Sequence, residues 1–273
     1  MGTAGEATLT ETLRVTWALY RRSMTRLLRR PMFLYFSLIQ PAIWLLLFSQ
    51  VMKNFGKAAL PPNVSYVTLF APAVMLQTVL FGSFQSGMAM VSDIEMGTLD
   101  KYLIAPINRM SILIGRALSD GTRMFIQSLI IILLSMTLGV RFAHGPIGVV
   151  GAILFAVIFG MGLAGFSNVI ALRTKNSEST LVIGNFFIFP LLFLSPALVP
   201  RGALPGWIET FGKINPVAYA VDAARNLTVG VLHGRTLSRA IDWPQLGRSA
   251  AFLLAVLVVS FTLAQSTFKK ATA

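Results

Sequence analysis

The chain has 273 residues, of which 55% are hydrophobic and only 12% are charged. A soluble domain has about a quarter of its residues charged, so this composition excludes a water-soluble surface and predicts an integral membrane protein. Lysine and arginine number 23 against 10 aspartate and glutamate. These basic residues are divided among short segments between apolar runs, where lipid headgroups explain them, so nucleic acid is rejected as a partner.

The first predicted element is an amphipathic helix within residues 1–31. Its apolar residues recur at steps of three and four, whereas arginines occupy the other side of the helix. The pattern predicts a helix that lies along the inner membrane surface until Pro31 turns the chain into the bilayer. A plain basic anchor is the alternative. The apolar set is Leu9, Leu13, Trp17, Tyr20, Met24, Leu27 and Leu28.

Six apolar segments follow, each close to the roughly 20 residues that a transmembrane helix needs. Most of the 23 lysines and arginines lie before the first segment, between the second and third, between the fourth and fifth, or in the tail. This bias predicts that both termini are cytoplasmic, in a single transmembrane domain over 32–273 of a multi-pass protein of the cell (cytoplasmic or inner) membrane. The predicted spans are roughly 32–52, 66–90, 110–138, 147–172, 179–199 and 246–265.

The connection between the fifth and sixth spans is too polar to cross a membrane and too apolar for a free loop. It is predicted to form two short helices, the first opened by Leu204-Pro205-Gly206-Trp207 and the second capped by Asn215-Pro216. Gly230 is available to end the second helix. The apolar residues of this segment predict a re-entrant helical hairpin that dips into the outer leaflet.

The residues needed for most catalytic sites are absent. The two histidines, His144 and His233, lie in predicted loops and build no metal-binding pair, and the chain has no cysteine. No phosphate-binding G-x-x-x-x-G-K-S/T loop is present, so the chain does not hydrolyse ATP by that motif. We therefore expect no catalytic residues, no metal and no cofactor bound by this chain.

Polar residues inside the spans are few and mostly neutral. We interpret the amides Gln40, Gln77, Gln85, Asn168 and Asn185 as interhelical hydrogen-bonding groups.

Two other features are expected to be structural. Arg116, Asp120 and Arg123 are spaced to pair on one helix face. Gly160, Gly162 and Gly165 are predicted to form a face for close helix packing.

A short amphipathic loop separates the second and third spans. Asp93 and Glu95 stand where acidic residues favour a helix start, and Leu99, Tyr102 and Leu103 form an apolar strip. The pattern predicts a cytoplasmic helix over 93–107. A helix that simply lies on the membrane is the alternative.

This loop, with Glu95, Gly97 and Thr98 followed by Pro106-Ile107-Asn108-Arg109, resembles the membrane subunits of type-2 ATP-binding-cassette (ABC) exporters, in particular bacterial drug-resistance and polysaccharide-export permeases. Ile94 departs from the arginine that often precedes the glutamate in that family. The segment from Leu204-Pro205-Gly206-Trp207 to Asn215-Pro216 and Tyr219 is similar to the end of the same subunits. The resemblance covers nearly the whole chain.

The resemblance implies an all-α permease that is driven by a soluble ABC ATPase, present in two copies, which binds ATP and Mg. The helix after span 2 would be the coupling helix. A second permease copy or a paralogue would complete a pathway along spans 2 and 5 for a drug, a lipid or a lipid-linked glycan. The implied coupling residues are Asp93, Glu95, Gly97, Thr98, Leu99, Leu103, Arg26 and Arg29, and the pathway candidates are Phe81, Phe84, Met88, Asn185, Phe186 and Phe189.

Three other functions stay open on the sequence. An ion-coupled carrier would carry titratable residues at mid-span, which this chain lacks. A lipid-modifying membrane enzyme would need Asp, His or Ser clustered at one depth, and the sequence argues against such a cluster. A non-transporting scaffold has no distinguishing pattern.

Overall fold

A computed structural model describes residues 9–29, 31–52, 65–98, 102, 104, 109–198, 204–233 and 236–271. Within these residues the chain forms nine helices and one antiparallel pair of three-residue strands. The helices are α1 (Leu9–Leu28), α2 (Pro31–Val51), α3 (Tyr66–Glu95), α4 (Arg109–Thr137), α5 (Gly145–Thr174), α6 (Ser177–Phe193), α7 (Gly206–Gly212), α8 (Pro216–Thr228) and α9 (Trp243–Ala271), and the strands β1 (Val231–His233) and β2 (Thr236–Ser238) lie between α8 and α9.

In the described part of the chain, four helices are long and apolar enough to cross a membrane. They are α3, the Met110–Thr137 part of α4, α5, and the Trp243–Lys270 part of α9, and they coincide with four of the predicted spans. Two shorter apolar helices, Leu38–Val51 in α2 and Ser177–Phe193, fall on the other two. The structure is therefore that of a multi-pass membrane protein.

The long helices pack around α5, which contacts α3, α4, α8 and α9. Of these, α3 and α9 run parallel to α5, whereas α4 runs antiparallel to it. One end of the bundle, called here the α1 end, holds α1 and a cluster that joins the last turns of α3, α5 and α9 to the first turns of α4. The opposite end, the hairpin end, holds α7, α8 and the two strands. The cluster at the α1 end consists of Met90, Val91, Ile112, Leu113, Ala171, Leu172 and Phe268, with Leu19 of α1 packed against it.

The predicted close packing around the glycines of α5 is confirmed. A Cβ at Gly165 would lie 2.6 Å from Ser260 Oγ of α9, and one at Gly162 would lie 3.2 Å from Val256 Cγ1 of the same helix. On another side of α5, a Cβ at Gly160 would lie 2.6 Å from the sulfur of Met124 in α4. Small residues thus let the helix backbones approach closely, which is how helices associate in a bilayer.

Gly87 makes the α3–α5 crossing possible, so Gly87→Ala is expected to destabilise the protein. The new Cβ would lie 2.6 Å from the backbone oxygen of Ser167 and would overlap its Oγ. Overpacking of this kind costs about 1–3 kcal/mol. The measurement is the thermal unfolding midpoint in detergent, with Gly247→Ala as the control because nothing lies within 4 Å of that position. An unchanged midpoint for Gly87→Ala would contradict the crossing.

At the hairpin end, the two short helices begin where the sequence predicts them. Pro205 immediately precedes α7, and the Asn215 side chain caps α8 by accepting a hydrogen bond of 2.9 Å from the Val217 amide. Gly230, at φ +103°, follows α8 and leads into β1. The expected all-helical architecture is confirmed, and the short β1–β2 hairpin is an addition that the sequence did not predict. Strands of three residues are too short to show an alternating pattern in the sequence.

The N-terminal helix α1 packs along α4. Ser111 Oγ donates to the Thr12 carbonyl at 3.4 Å, the hydroxyls of Tyr20 and Thr122 lie 3.3 Å apart, and Gly115 faces Leu19. Trp17 is 60% exposed and points away from these contacts, together with Leu13 and Leu28. The packed face of α1 includes Tyr20 of the predicted apolar set but not Leu13, Trp17 or Leu28, which leaves Trp17 available to lipid.

Candidate functional site

Asp93 lies in the last turn of α3 and holds two arginines from different helices. Its Oδ1 accepts a hydrogen bond of 2.9 Å from Arg26 of α1, and its Oδ2 accepts one of 2.8 Å from Arg116 of α4. The Asp93 side chain is only 13% exposed. Removal of one partner from a buried ion pair is strongly destabilising, because it leaves the other charge uncompensated. A single carboxylate thus ties α1, α3 and α4 together.

This arrangement corrects two predictions. Asp93 was expected at the start of an exposed coupling helix, but α3 continues as far as Glu95 and turns the Asp93 carboxylate inward. Arg116 was expected to pair with Asp120 on its own helix, but it reaches Asp93 of α3 instead. The long arginine side chain can reach a partner on a neighbouring helix, and spacing along one helix does not reveal that partner.

The chain leaves α3 through a glycine turn. Met96 caps the helix, and Gly97 has a φ of +62°, a conformation that suits a residue without a Cβ. Beyond it Thr98, Tyr102 and Ile104 have helical backbone, whereas Leu99 and Leu103 lie outside the described residues. The coupling helix as a whole therefore stays a prediction.

Glu95 joins the end of α3 to the start of α6. Its carboxylate accepts hydrogen bonds from the Ser177 hydroxyl at 3.1 Å and from the Ser177 backbone amide at 3.3 Å. An acidic group is favourable at this position because the amides at a helix N-terminus carry partial positive charge. The Glu95 side chain is nevertheless exposed.

Arg22 of α1 contacts the segment that follows Gly97. Its guanidinium lies 5.3 Å from the centre of the Tyr102 ring and also donates a hydrogen bond to the Tyr102 hydroxyl. Cation–π contacts of this kind are worth about 0.5–1 kcal/mol at exposed sites. Sequence reasoning missed Arg22 as a site residue, because the contact joins positions 80 residues apart.

A third ion pair lies deeper in the bundle. Arg123, whose side chain is 8% exposed, donates to Asp120 at 3.0 Å and to the Gly82 carbonyl of α3 at 2.8 Å. Ser86 of α3 donates to the other oxygen of Asp120. The predicted pairing of Asp120 and Arg123 on one helix is confirmed. The three ion pairs together form a charge network, defined as Arg26, Asp93, Arg116, Asp120 and Arg123.

A cavity of about 260 Å³ lies between α2, α3, α4 and α6. Four of the six pathway candidates, Phe81, Phe84, Met88 and Asn185, are among the residues that line it. Phe186 and Phe189 are not, since they are 72% and 50% exposed on the outside of α6. Because a helix turns by about 100° per residue, adjacent positions on α6 face different surroundings, and composition alone did not reveal which ones face inward.

Amide side chains give the wall of this cavity a polar component. Gln40, Gln85, Gln127 and Asn185 all line it. Three of them were interpreted from the sequence as interhelical hydrogen-bonding groups, and Gln127 was missed. Its position as a polar residue within the apolar run of α4 could have identified Gln127 as a candidate.

Comparison with known proteins decides the family. The family described as ABC-2 type transporter matches residues 14–229, which extend from α1 to the end of α8.

The chain belongs to the ABC-2 type transporter family.

Three relatives are similar over most of their length. The daunorubicin resistance ABC transporter permease DrrB1 of Streptomyces coeruleorubidus is 28% identical over 84% of this chain and 77% of its own. The protein ycf38 of Cyanophora paradoxa, which carries the name of a transport permease, is 29% identical over 77% of this chain and 73% of its own. DrrC of Mycobacterium tuberculosis, named for doxorubicin resistance, is 27% identical over 77% of this chain and 75% of its own.

The match to the ABC-2 family shows what kind of protein contains the charge network and the cavity. The chain is a membrane permease subunit of an ABC exporter, and ATPase activity resides in a separate subunit. The matched range contains the whole charge network and the 260 Å³ cavity. In this ABC-2 permease the two features therefore belong to the part of the chain shared with the family.

Proposed function

We propose that this ABC-2 permease exports hydrophobic or amphipathic compounds through six membrane spans, with both termini in the cytoplasm. Its soluble ATPase partner, present in two copies that bind ATP and Mg, docks at the α1 end. Two observations support this orientation. Most lysines and arginines lie in connections at the α1 end, and cytoplasmic segments are enriched in these residues. The six apolar helices alternate in direction along the chain, as the contacts at the two ends of the bundle indicate.

The proposal rests mainly on the two ion pairs that Asp93 forms, one with Arg26 and one with Arg116. The carboxylate lies four residues before Gly97, so a force on the segment after Gly97 reaches α3 close to the points where Arg26 and Arg116 hold it. Movement of α3 would then carry α1 and α4 with it. Because packed elements move as units, a small shift at the docking site becomes a displacement of whole helices.

Several exposed residues at the α1 end support direct contact with the ATPase. Glu95 and Arg29 are exposed, and Thr98 is partly exposed. Asp93 and Arg26 act indirectly, by fixing α1 to α3, because Asp93 is buried and Arg26 is held by it. Leu99 and Leu103, proposed to fill a cleft of the ATPase, complete this set.

The proposed substrate pathway begins at the 260 Å³ cavity. Its wall combines phenylalanine and methionine side chains, which adapt to varied apolar compounds, with four amides that can orient a polar group. Two relatives carry daunorubicin or doxorubicin resistance in their names, so we propose a drug-like cargo, with a lipid or lipid-linked glycan as the other candidates. The exposed aromatic face of α6, formed by Phe186, Phe187, Phe189 and Phe193, would meet lipid or a second permease copy or paralogue.

The proposal is tested by Glu95→Arg in the complex of this chain with its ATPase. The reversed charge is expected to repel the Ser177 end of α6 and to reduce recovery of the ATPase in a pull-down at least about tenfold, which corresponds to about 1.4 kcal/mol. Export of daunorubicin into inverted membrane vesicles should fall in parallel.

Glu209→Arg is the matched control, since Glu209 is an exposed acid on α7 at the hairpin end. It should retain ATPase binding. Loss of the ATPase from both variants, or from neither, would contradict docking at the α1 end. Undiminished daunorubicin export without any ATPase would instead indicate an ion-coupled carrier.

A further inference from the structure

A second, larger cavity opens at the α1 end. It has a volume of about 510 Å³ and lies between α1, α3 and α4, next to the charge network. A cavity of this size falls in the range of small-molecule sites, about 300–1,000 Å³. It is a separate space from the 260 Å³ cavity, although Gln85 and Met88 line both.

The charged side of this cavity carries an excess of positive charge. Four arginines, Arg22, Arg26, Arg116 and Arg123, face two aspartates, which leaves a formal charge of +2 on the lining. Arg26 and Arg116 share one carboxylate, so two guanidinium groups divide a single negative charge. The excess comes from Arg22, which is exposed, and Arg26, whose side chain is 39% exposed, so it attracts an anion to the opening of the cavity.

Two hydrogen-bond donors on this side are unused. The Nε atoms of Arg116 and Arg123 are buried and have no hydrogen-bond partner among the residues that the structure describes. Their side chains are only 16% and 8% exposed, so water has little access to them. Guanidinium groups bind phosphate oxygens through paired hydrogen bonds. Both arginines line the cavity, so a rotation of either side chain would present its unused Nε donor to a phosphate oxygen there.

The other side of the cavity is apolar. Met24 and Leu27 of α1 line this side, together with Met88 of α3 and Met96, which follows α3. Methionine side chains are flexible and polarisable, so they accommodate hydrocarbon chains of varied shape. Met88 and Gln85 also line the 260 Å³ cavity. A ligand with its headgroup at the arginines can therefore extend its hydrocarbon chain towards the middle of the bundle.

We propose that this cavity binds an anionic amphiphile, with a phosphate-bearing headgroup at Arg116 and Arg123 and its hydrocarbon chain beside Met24 and Met88. The binding requires neither the ATPase nor export. The same chemistry is offered by a lipid of the surrounding bilayer and by an exported phosphate-bearing amphiphile.

The test measures binding of a fluorescent short-chain phosphatidylglycerol to the full-length chain in neutral detergent. Arg123→Gln is expected to weaken binding at least about tenfold, because the charged donor is lost. Arg21→Gln is the matched control: Arg21 is an exposed arginine of α1 that does not line the cavity. Equal binding by Arg123→Gln and the unmodified chain, or an equal loss in Arg21→Gln, would overturn the site.

A second variant keeps the test informative if Arg123→Gln does not fold. Met24→Trp fills the apolar side of the cavity and leaves every member of the charge network in place, so it is expected to weaken binding by a similar factor. Unchanged binding by Met24→Trp would overturn the placement of the hydrocarbon chain. Inorganic phosphate and unlabelled phosphatidylglycerol are then compared as competitors of the probe. If both displace it at the same concentration, the cavity binds the phosphate ion alone, and the proposal is overturned.

The two sources of the amphiphile are distinguished after addition of the ATPase and ATP to reconstituted vesicles. ATP-dependent transfer of the bound probe to the opposite leaflet identifies it as cargo, and retention with ATP identifies it as a resident lipid. Either outcome supports the site. If the protein exports daunorubicin but does not bind the probe, the proposed site is wrong and the proposed function is unaffected.

Discussion

Asp93→Asn is expected to lower the thermal unfolding midpoint in detergent and to reduce daunorubicin export by at least about tenfold. The amide leaves the charges of Arg26 and Arg116 without a carboxylate, and loss of one partner of a buried ion pair costs about 3–5 kcal/mol. Most of this cost comes from Arg116, because the side chain of Arg26 is 39% exposed and solvent screens its charge. Export falls as well, because α1 and α4 are no longer held to α3.

The double variant Asp93→Asn/Arg116→Gln separates stability from coupling. Removal of both charges is expected to recover most of the unfolding midpoint, since neither buried charge is then unpaired. Export should stay low, because the link between α3 and α4 is still missing. Recovery of export together with the midpoint would show that Asp93 supports only folding. Glu209→Gln, an exposed acid at the hairpin end, should change neither quantity.

Arg225→Met is expected to have the second large effect, by detaching the hairpin end from the bundle. Arg225 of α8 donates hydrogen bonds to the carbonyls of Leu69 at 3.1 Å, Pro196 at 2.5 Å and Ala197 at 2.9 Å. The guanidinium thereby holds the turn after α6 against the first turn of α3. A hydrogen bond to a charged group contributes about 1.5–3 kcal/mol, so the loss of three is expected to cost roughly 3 kcal/mol or more.

The measurements for Arg225→Met are the unfolding midpoint and the overall rate of limited proteolysis. Arg225→Lys is expected to be intermediate, since an ammonium group retains the charge but not the planar fork that reaches three carbonyls. Arg248→Met removes an exposed arginine near the start of α9 and should leave both measurements unchanged. Equal stability of Arg225→Met and Arg248→Met would refute this role of Arg225.

The helices were predictable because their signals are local. Apolar runs placed the long helices, Asn215-Pro216 placed the start of α8, and the glycines of α5 indicated close packing. The site was only partly predictable. Phe81, Phe84, Met88 and Asn185 do share one cavity, but Phe186 and Phe189 face outward. The rotation of each helix about its axis depends on its neighbours, and the local sequence of α6 does not specify it.

The amino-acid sequence by itself determined that this is an integral membrane protein without a G-x-x-x-x-G-K-S/T loop, because apolar content and local motifs are properties of the chain alone. Its resemblance to ABC-2 permeases supplied the function. Only the tertiary structure showed that Asp93 faces inward, that Arg116 pairs with Asp93 of α3, and that Arg225 donates hydrogen bonds to three carbonyl groups. The two partners in each of these contacts are separated by between 23 and 156 residues along the sequence. A charged side chain selects its partner by distance in space, and that distance is set by helix packing.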